Sequence, residues 1–343
     1  MNQNARLSND NESWRRLTKM RTETDLMHAR RIPLLLAGSL FLGFSLRSEA
    51  QNGTKTLNGF NISNALVPVG EIRSGGPPRD GIPSIDRPDF LRPRQVNYLT
   101  DDDLVVGVTF DGKTRAYPLR ILVQHEIVND QIGQFAFLVT YCPLCGAAMV
   151  FDRSTGGRTR SFGVSGLLYL SDVLMYDRES ESLFSQLGMK AVAGPLAGTM
   201  LEWLPSEHMT WKAWRQRYPN GEVLSNRSAR NRDYTKNPYE GYDQSPNAAV
   251  AVPFYRSDLP QKSWILGVIV AGQAKAYAVA QLPPNQTITE IVGGQEIEIA
   301  YDSNSRRTVV VRSDTGEAIP SVMAYWFAWQ AFYPETALWK PQD

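Results

Sequence analysis

The chain has 343 residues, with 36 Lys and Arg against 35 Asp and Glu, 42% hydrophobic and 21% charged residues, and only two cysteines and three histidines. Beyond residue 50 the balance is 28 basic to 30 acidic, which excludes the basic excess that nucleic-acid binding requires. Two cysteines cannot staple a chain this long, so a hydrophobic core must hold it.

The first element is an apolar run, Ile32 to Leu46, behind Arg30-Arg31 and ahead of Ser48-Glu49-Ala50. Its 15 residues fall short of a bilayer span, which needs roughly 20. Residues 1–50 therefore read as a signal peptide with small residues at the cleavage site, in preference to an uncleaved anchor. The arginine pair is compatible with twin-arginine export. A periplasmic or secreted protein is expected, with no integral membrane domain beyond this segment. Its expected partner is an unidentified small molecule or protein. Residues 51–94, including GGPPRDGIPSIDRP at 75–88, lack sustained periodicity and predict an extended lead-in.

An internal repeat follows. Gly107-Val108, Ala116-Tyr117 and Tyr141 recur at an offset of 160 as Gly267-Val268, Ala276-Tyr277 and Tyr301. Trp211-x-x-Trp214 with Tyr218-Pro219 recurs at an offset of 115 as Trp326-x-x-Trp329 with Tyr333-Pro334. The expected fold is α+β and β-rich, two fused copies of one strand-hairpin-strand-helix plan over 95–250 and 251–343. The first carries a 45-residue insertion and the second is degenerate. VVGVTF with KTRAYPL, and WILGVIV with AKAYAV, predict strands. Trp211, Trp214 and Tyr218 at i, i+3 and i+7 predict a helix that buries an aromatic face. Ser206 is its expected N-cap, with His208 on the surface just inside its start.

TITEIVGGQEIEIAYD (287–302) reads as a hairpin turning on Gly293-Gly294. That register places Asn285 opposite Asp302, and the 160 offset transfers the pair to His125 and Cys142, close enough to share one ion. Both cysteines lie in Tyr141-Cys142-Pro143-Leu144-Cys145-Gly146. One reading is a metal knuckle with His125, Cys142 and Cys145 as ligands to copper or zinc and one position open, compatible with a metal-dependent oxidoreductase. A second is a thiol-disulfide protein with Cys142 as the exposed sulfur and Cys145 as resolver. A third is a non-enzymatic binding module with a structural disulfide. Whether the protein is an enzyme stays open, since no phosphate loop, dinucleotide fingerprint or nucleophile elbow is present.

Strand alternation turns Glu126 away from a metal held by His125, which leaves it a distant pocket candidate. Residues 160–198 are expected to cover the site. Asn129, Tyr141, Tyr169, Ser171, Asp172, Met175, Asp177 and Gln186 are further pocket candidates, Met175 being better explained as core.

AYPLRIL (116–122), HEIVND (125–130), TYCPLCG (140–146), FGVSGLLY (162–169), SDVLMYDRES (171–180), GPLAG (194–198) and NPYEGY (237–242) closely resemble the bacterial family catalogued as domain of unknown function 3179. The likeness runs from about Ile82 to Trp339 and implies no settled reaction. By this resemblance His125, Cys142 and Cys145 match the HEIVND and CPLCG motifs, and Ser171, Asp172, Met175 and Asp177 match the insertion motif. Val123-Gln124 and Phe184 depart from the Asn-Trp and Trp that the family pattern favours, which bears on pocket shape.

Overall fold

The computed structural model describes residues 55–229 and 232–341. The signal segment assigned to residues 1–50 lies outside them. The lead-in forms a small hairpin, β1 (Thr56–Leu57) with β2 (Phe60–Asn61), then β3 (Ile72–Ser74) and β4 (Phe90–Leu91). It contributes to the core, since Phe60, Ile62, Ile72 and Ile85 are all buried.

Next come β5 (Leu104–Phe110), β6 (Lys113–Pro118), α1 (Leu119–Leu122), β7 (Ile127–Ile132), β8 (Phe135–Cys142) and β9 (Ala147–Asp152). After the short pair β10 (Ser154–Thr155) and β11 (Arg158–Thr159) follow β12 (Phe162–Tyr169), β13 (Asp172–Asp177), β14 (Leu183–Ser185) and β15 (Lys190–Ala193). β16 (Glu202–Leu204), β17 (Glu207–Thr210), α2 (Trp211–Arg217) and β18 (Glu222–Leu224) close this half. The remainder holds β19 (Trp264–Val270), β20 (Gln273–Ala278), β21 (Thr287–Val292), β22 (Gln295–Asp302), β23 (Arg307–Arg312), β24 (Ser321–Tyr325), α3 (Trp326–Phe332) and β25 (Ala337–Leu338). The protein is thus strand-rich with few, short helices.

The sheets run β17-β5-β6-β18-β4, β16-β9-β8-β7 and β15-β14-β13-β12-β3, then β24-β19-β20-β25 and β21-β22-β23. Tight hairpins arise where chemistry permits positive φ. Asp111-Gly112 (φ 49 and 72) joins β5 to β6, and Ala271-Gly272 (φ 47 and 80) joins β19 to β20. The two halves also share registers: Gly107 faces Ala116 as Gly267 faces Ala276, and Ala116 pairs in parallel with Val223 as Ala276 does with Leu338.

Two expectations about α2 are corrected. Its N-cap is Thr210, whose side chain accepts from Ala213 N at 3.3 Å, because β17 occupies the segment before it. His208 lies in β17 opposite Val106, with Nε2 buried and without a hydrogen-bond partner among the described residues. Burial lowers its pKa to about 4.

The insertion sheet is pinned by a buried ion pair. Arg160 Nη1 donates to Asp177 Oδ2 at 2.9 Å, with the two side chains 9% and 0% exposed. Removing one partner strands the other charge, so Asp177→Ala is expected to cost about 3–5 kcal/mol, measured by urea denaturation. An unchanged midpoint would refute this assignment.

Candidate metal centre

Strand β8 ends at Cys142, which pairs with Ala147 at the start of β9. Between them runs a tight turn closed by Cys145 N to Cys142 O at 3.2 Å and Gly146 N to Pro143 O at 3.4 Å. Gly146 is required here: its φ is 65, and a Cβ would stand 2.6 Å from Trp264 Cη2. The result is strand, knuckle, strand, with no helix to stabilise a thiolate. Both thiols are free and buried, their sulfurs 3.0 Å apart. Burial pushes the pKa of each upward, Cys145 well above its ordinary value. From the C-terminal half, Tyr325 N donates to Cys145 O at 2.8 Å, and Tyr242 OH, from the NPYEGY segment, donates to Leu144 O at 3.0 Å.

The third group comes from the insertion. β12 and β13 turn through Leu170-Ser171, both with positive φ (51 and 70). This aims the Ser171 carbonyl oxygen at the thiols, 3.3 Å from Cys145 Sγ and 3.8 Å from Cys142 Sγ. It also brings Asp172 Oδ1 to 3.8 Å from Cys145 Sγ, while Oδ2 accepts from Leu187 N at 2.9 Å and Ser185 Oγ at 3.2 Å. Desolvation raises the Asp172 pKa to about 7 despite these hydrogen bonds. Donor atoms of Cys142, Cys145 and Asp172 all lie within 4.8 Å of one another, a group that could hold a metal ion.

His125 is not part of this group. Its Nδ1 contacts Pro83 O at 2.7 Å and its Nε2 contacts Tyr234 OH at 2.8 Å. The hairpin register that the sequence predicts is present, Ile288 opposite Ile299 and likewise Ile127 opposite Thr140. Strand pairing stops at Ile127 because Glu126 adopts φ 59. One left-handed residue breaks the alternation on which the facing of His125 and Cys142 depended.

Glu126 moves the other way. Its carboxyl is buried, makes no hydrogen bond or ion pair among the described residues, and raises the Cys142 pKa through its charge. Desolvation, then the charge of Asp172, lifts its own pKa to about 8.

The other candidates divide. Gln186 reaches the knuckle: Nε2 donates to Thr140 Oγ1 at 2.7 Å and Ala147 O at 3.1 Å, leaving Oε1 buried without a partner among the described residues. Tyr141 lies among the thiols, its pKa raised by burial and then by Tyr325 and Cys142. Asn129 ties β7 to β12 through Phe162, and Asp177 serves the Arg160 pair. Tyr169 packs edge-on against Phe332, and Met175 sits in the core cluster that also contains both cysteines. A residue not singled out beforehand, Tyr333, donates to Leu187 O at 2.6 Å and lies within the field of Asp172. Its sequence signal is the Tyr-Pro that follows each repeated Trp-x-x-Trp, a pattern that by itself indicates packing.

These carboxyls predict a pH dependence of the metal-free protein. Below about pH 4 both are protonated, folded or unfolded, and carry no penalty. As pH rises, the unfolded chain ionises first, because folding raises both pKa values, so the contribution of these two groups to stability falls until pH 7–8 and then levels. His208 and His125, whose pKa values burial lowers, oppose the trend below about pH 6.5. The drop in melting temperature in chelator is therefore expected between about pH 6.5 and 8, and Glu126→Gln should remove part of that slope. A rise over this range would contradict the assignment.

The fold and site together define a β-rich α+β protein in which two cysteines and one carboxylate form a buried cluster beneath a hairpin cover. No helix among the described residues is long and apolar enough to cross a membrane. The chain belongs to the family described as protein of unknown function (DUF3179), whose model matches residues 79–336. No curated protein and no solved structure matches it.

Proposed function

We propose that this is an exported protein that holds one divalent metal ion, zinc in preference to copper, at Cys142, Cys145 and Asp172. One observation carries the reading: three buried acids converge within 4.8 Å, and no Lys, Arg or His makes a hydrogen bond or ion pair with them among the described residues. Such a group must hold protons or a cation. Two thiolates with a carboxylate oxygen are an ordinary zinc donor set, whereas Cu(I) favours softer neighbours than carboxylate. Export rests on the segment at residues 1–50, and a periplasmic or secreted location follows from it. The shared registers of the two halves support their origin as two copies of one plan, only the first of which kept the site.

A second reading has its own support. Sulfurs 3.0 Å apart need only a modest approach to form a disulfide of about 2.05 Å. The test is metal content by mass spectrometry on mature protein from the exported fraction, purified without chelator, with free thiols counted. Near-stoichiometric zinc is expected, lost in Asp172→Asn and retained in His125→Ala. No metal and no free thiols would give the site to the disulfide.

A further inference from the structure

We infer that the backbone carbonyl oxygen of Ser171 is the fourth donor of this centre, making it a closed site of two sulfurs and two oxygens that clamps the β12–β13 hairpin onto the Cys-Pro-Leu-Cys knuckle. This rests on the metal reading above and adds what fills the remaining position.

The distances carry the inference. Tetrahedral zinc, with bonds of about 2.3 Å to sulfur and 2.0–2.2 Å to oxygen, has sulfur–oxygen edges of about 3.5 Å and a sulfur–sulfur edge of about 3.8 Å. Here the Ser171 oxygen stands 3.3 Å from Cys145 Sγ and 3.8 Å from Cys142 Sγ, and Asp172 Oδ1 stands 3.8 Å from Cys145 Sγ. Of these four edges the sulfur–sulfur, at 3.0 Å, is the shortest, and it would open by just under about 1 Å as the ion enters and the thiol protons leave to solvent. Ser171 is 1% exposed, so its vertex offers no place to bulk water. One fully buried polar group at the cluster, the Ser171 hydroxyl, has no hydrogen-bond partner among the described residues. An ion at the cluster would supply a charge beside that hydroxyl.

The geometry depends on Leu170 and Ser171 both holding positive φ without being glycine. Such conformations cost energy and persist where surrounding structure over-determines them. A site that needs its carbonyl at one vertex gives that strain a purpose. Closure also fixes the role of the ion: with four protein donors it is a clamp, and no position is left for substrate.

The test is titration of the reduced, chelator-treated mature protein with Co2+ alone. The thiolate-to-cobalt band in the near ultraviolet reports the cysteines, and its absence would overturn the metal reading itself. With that band present, the visible bands report the fourth position. Expected are intense four-coordinate bands that azide and imidazole do not shift. Bands that shift with azide would show an exchangeable position and overturn the carbonyl assignment. Ser171→Ala keeps the carbonyl and should bind Co2+ within about twofold of wild type. Ser171→Pro cannot hold positive φ and should weaken binding at least about tenfold while the thiolate band persists at saturation. An equal loss in both variants would make the hydroxyl the donor and overturn the proposal. Should the proline variant not fold, the azide result on wild type decides alone.

Discussion

Cys142→Ser and Cys145→Ser are each expected to lower zinc affinity by more than about 100-fold. Loss of a partner one shell out from a metal costs about 10–100-fold, and in the proposed centre these residues supply the donor atoms themselves. A serine hydroxyl does not ionise near neutral pH, so the centre loses one of its negative charges as well as a soft donor. Asp172→Asn should follow by the same logic, while Ser185→Ala, which removes one hydrogen bond to Asp172 Oδ2, belongs in the about 10–100-fold class. Competition against a chromophoric chelator measures all four. Because bound ligand adds stability in proportion to the logarithm of its concentration over Kd, zinc should raise the wild-type melting temperature and leave the cysteine variants where they are. Wild-type affinity in either variant would end the argument that both thiols ligate.

The sequence pattern made the knuckle legible and set His125 beside it, where the structure groups Asp172 with the two thiols, for a reason found in two turns. Strand period and the Gly293-Gly294 turn were enough to read the hairpin register, and that register is observed. The transfer to His125 failed at Glu126, whose φ of 59 reverses the side-chain facing of two residues. Nothing in the local sequence demands left-handed glutamate, since glycine and asparagine are the residues that signal it. The same blindness covers Leu170-Ser171. A primed hairpin turn is ordinarily announced by Asn-Gly or Asp-Gly, and without that cue Ser171 and Asp172 could be named as pocket candidates but not aimed at the thiols. The strained residues are the ones that assemble the candidate site, and a reading from propensity is least informative there.

Gly267→Ala is expected to destabilise the protein by about 2–3 kcal/mol and Gly107→Ala by about 1–2 kcal/mol, both as overpacking. A Cβ on Gly267 would meet the Trp329 ring at 2.6–2.8 Å, and one on Gly107 would meet Trp214 at 2.9–3.2 Å. The two tryptophans differ in freedom to yield. Trp329 Nε1 is tied to Thr336 Oγ1 at 3.0 Å, whereas Trp214 Nε1 has no hydrogen-bond partner among the described residues. Denaturant midpoints at constant m give the two costs. The pair also separates packing from site. Trp329 lies 4.4 Å from Tyr333 between ring centroids, Tyr333 OH holds Leu187 O, and Leu187 N holds Asp172 Oδ2. Displacing Trp329 therefore pushes on a short chain of contacts that ends on a proposed ligand, and Trp214, in a separate cluster with Val105 and Met209, pushes on none. Gly267→Ala should accordingly weaken zinc binding several-fold while Gly107→Ala leaves it unchanged. Equal effects of the two on zinc would mean that the C-terminal half supports the site through global stability alone, without the Tyr333 contact.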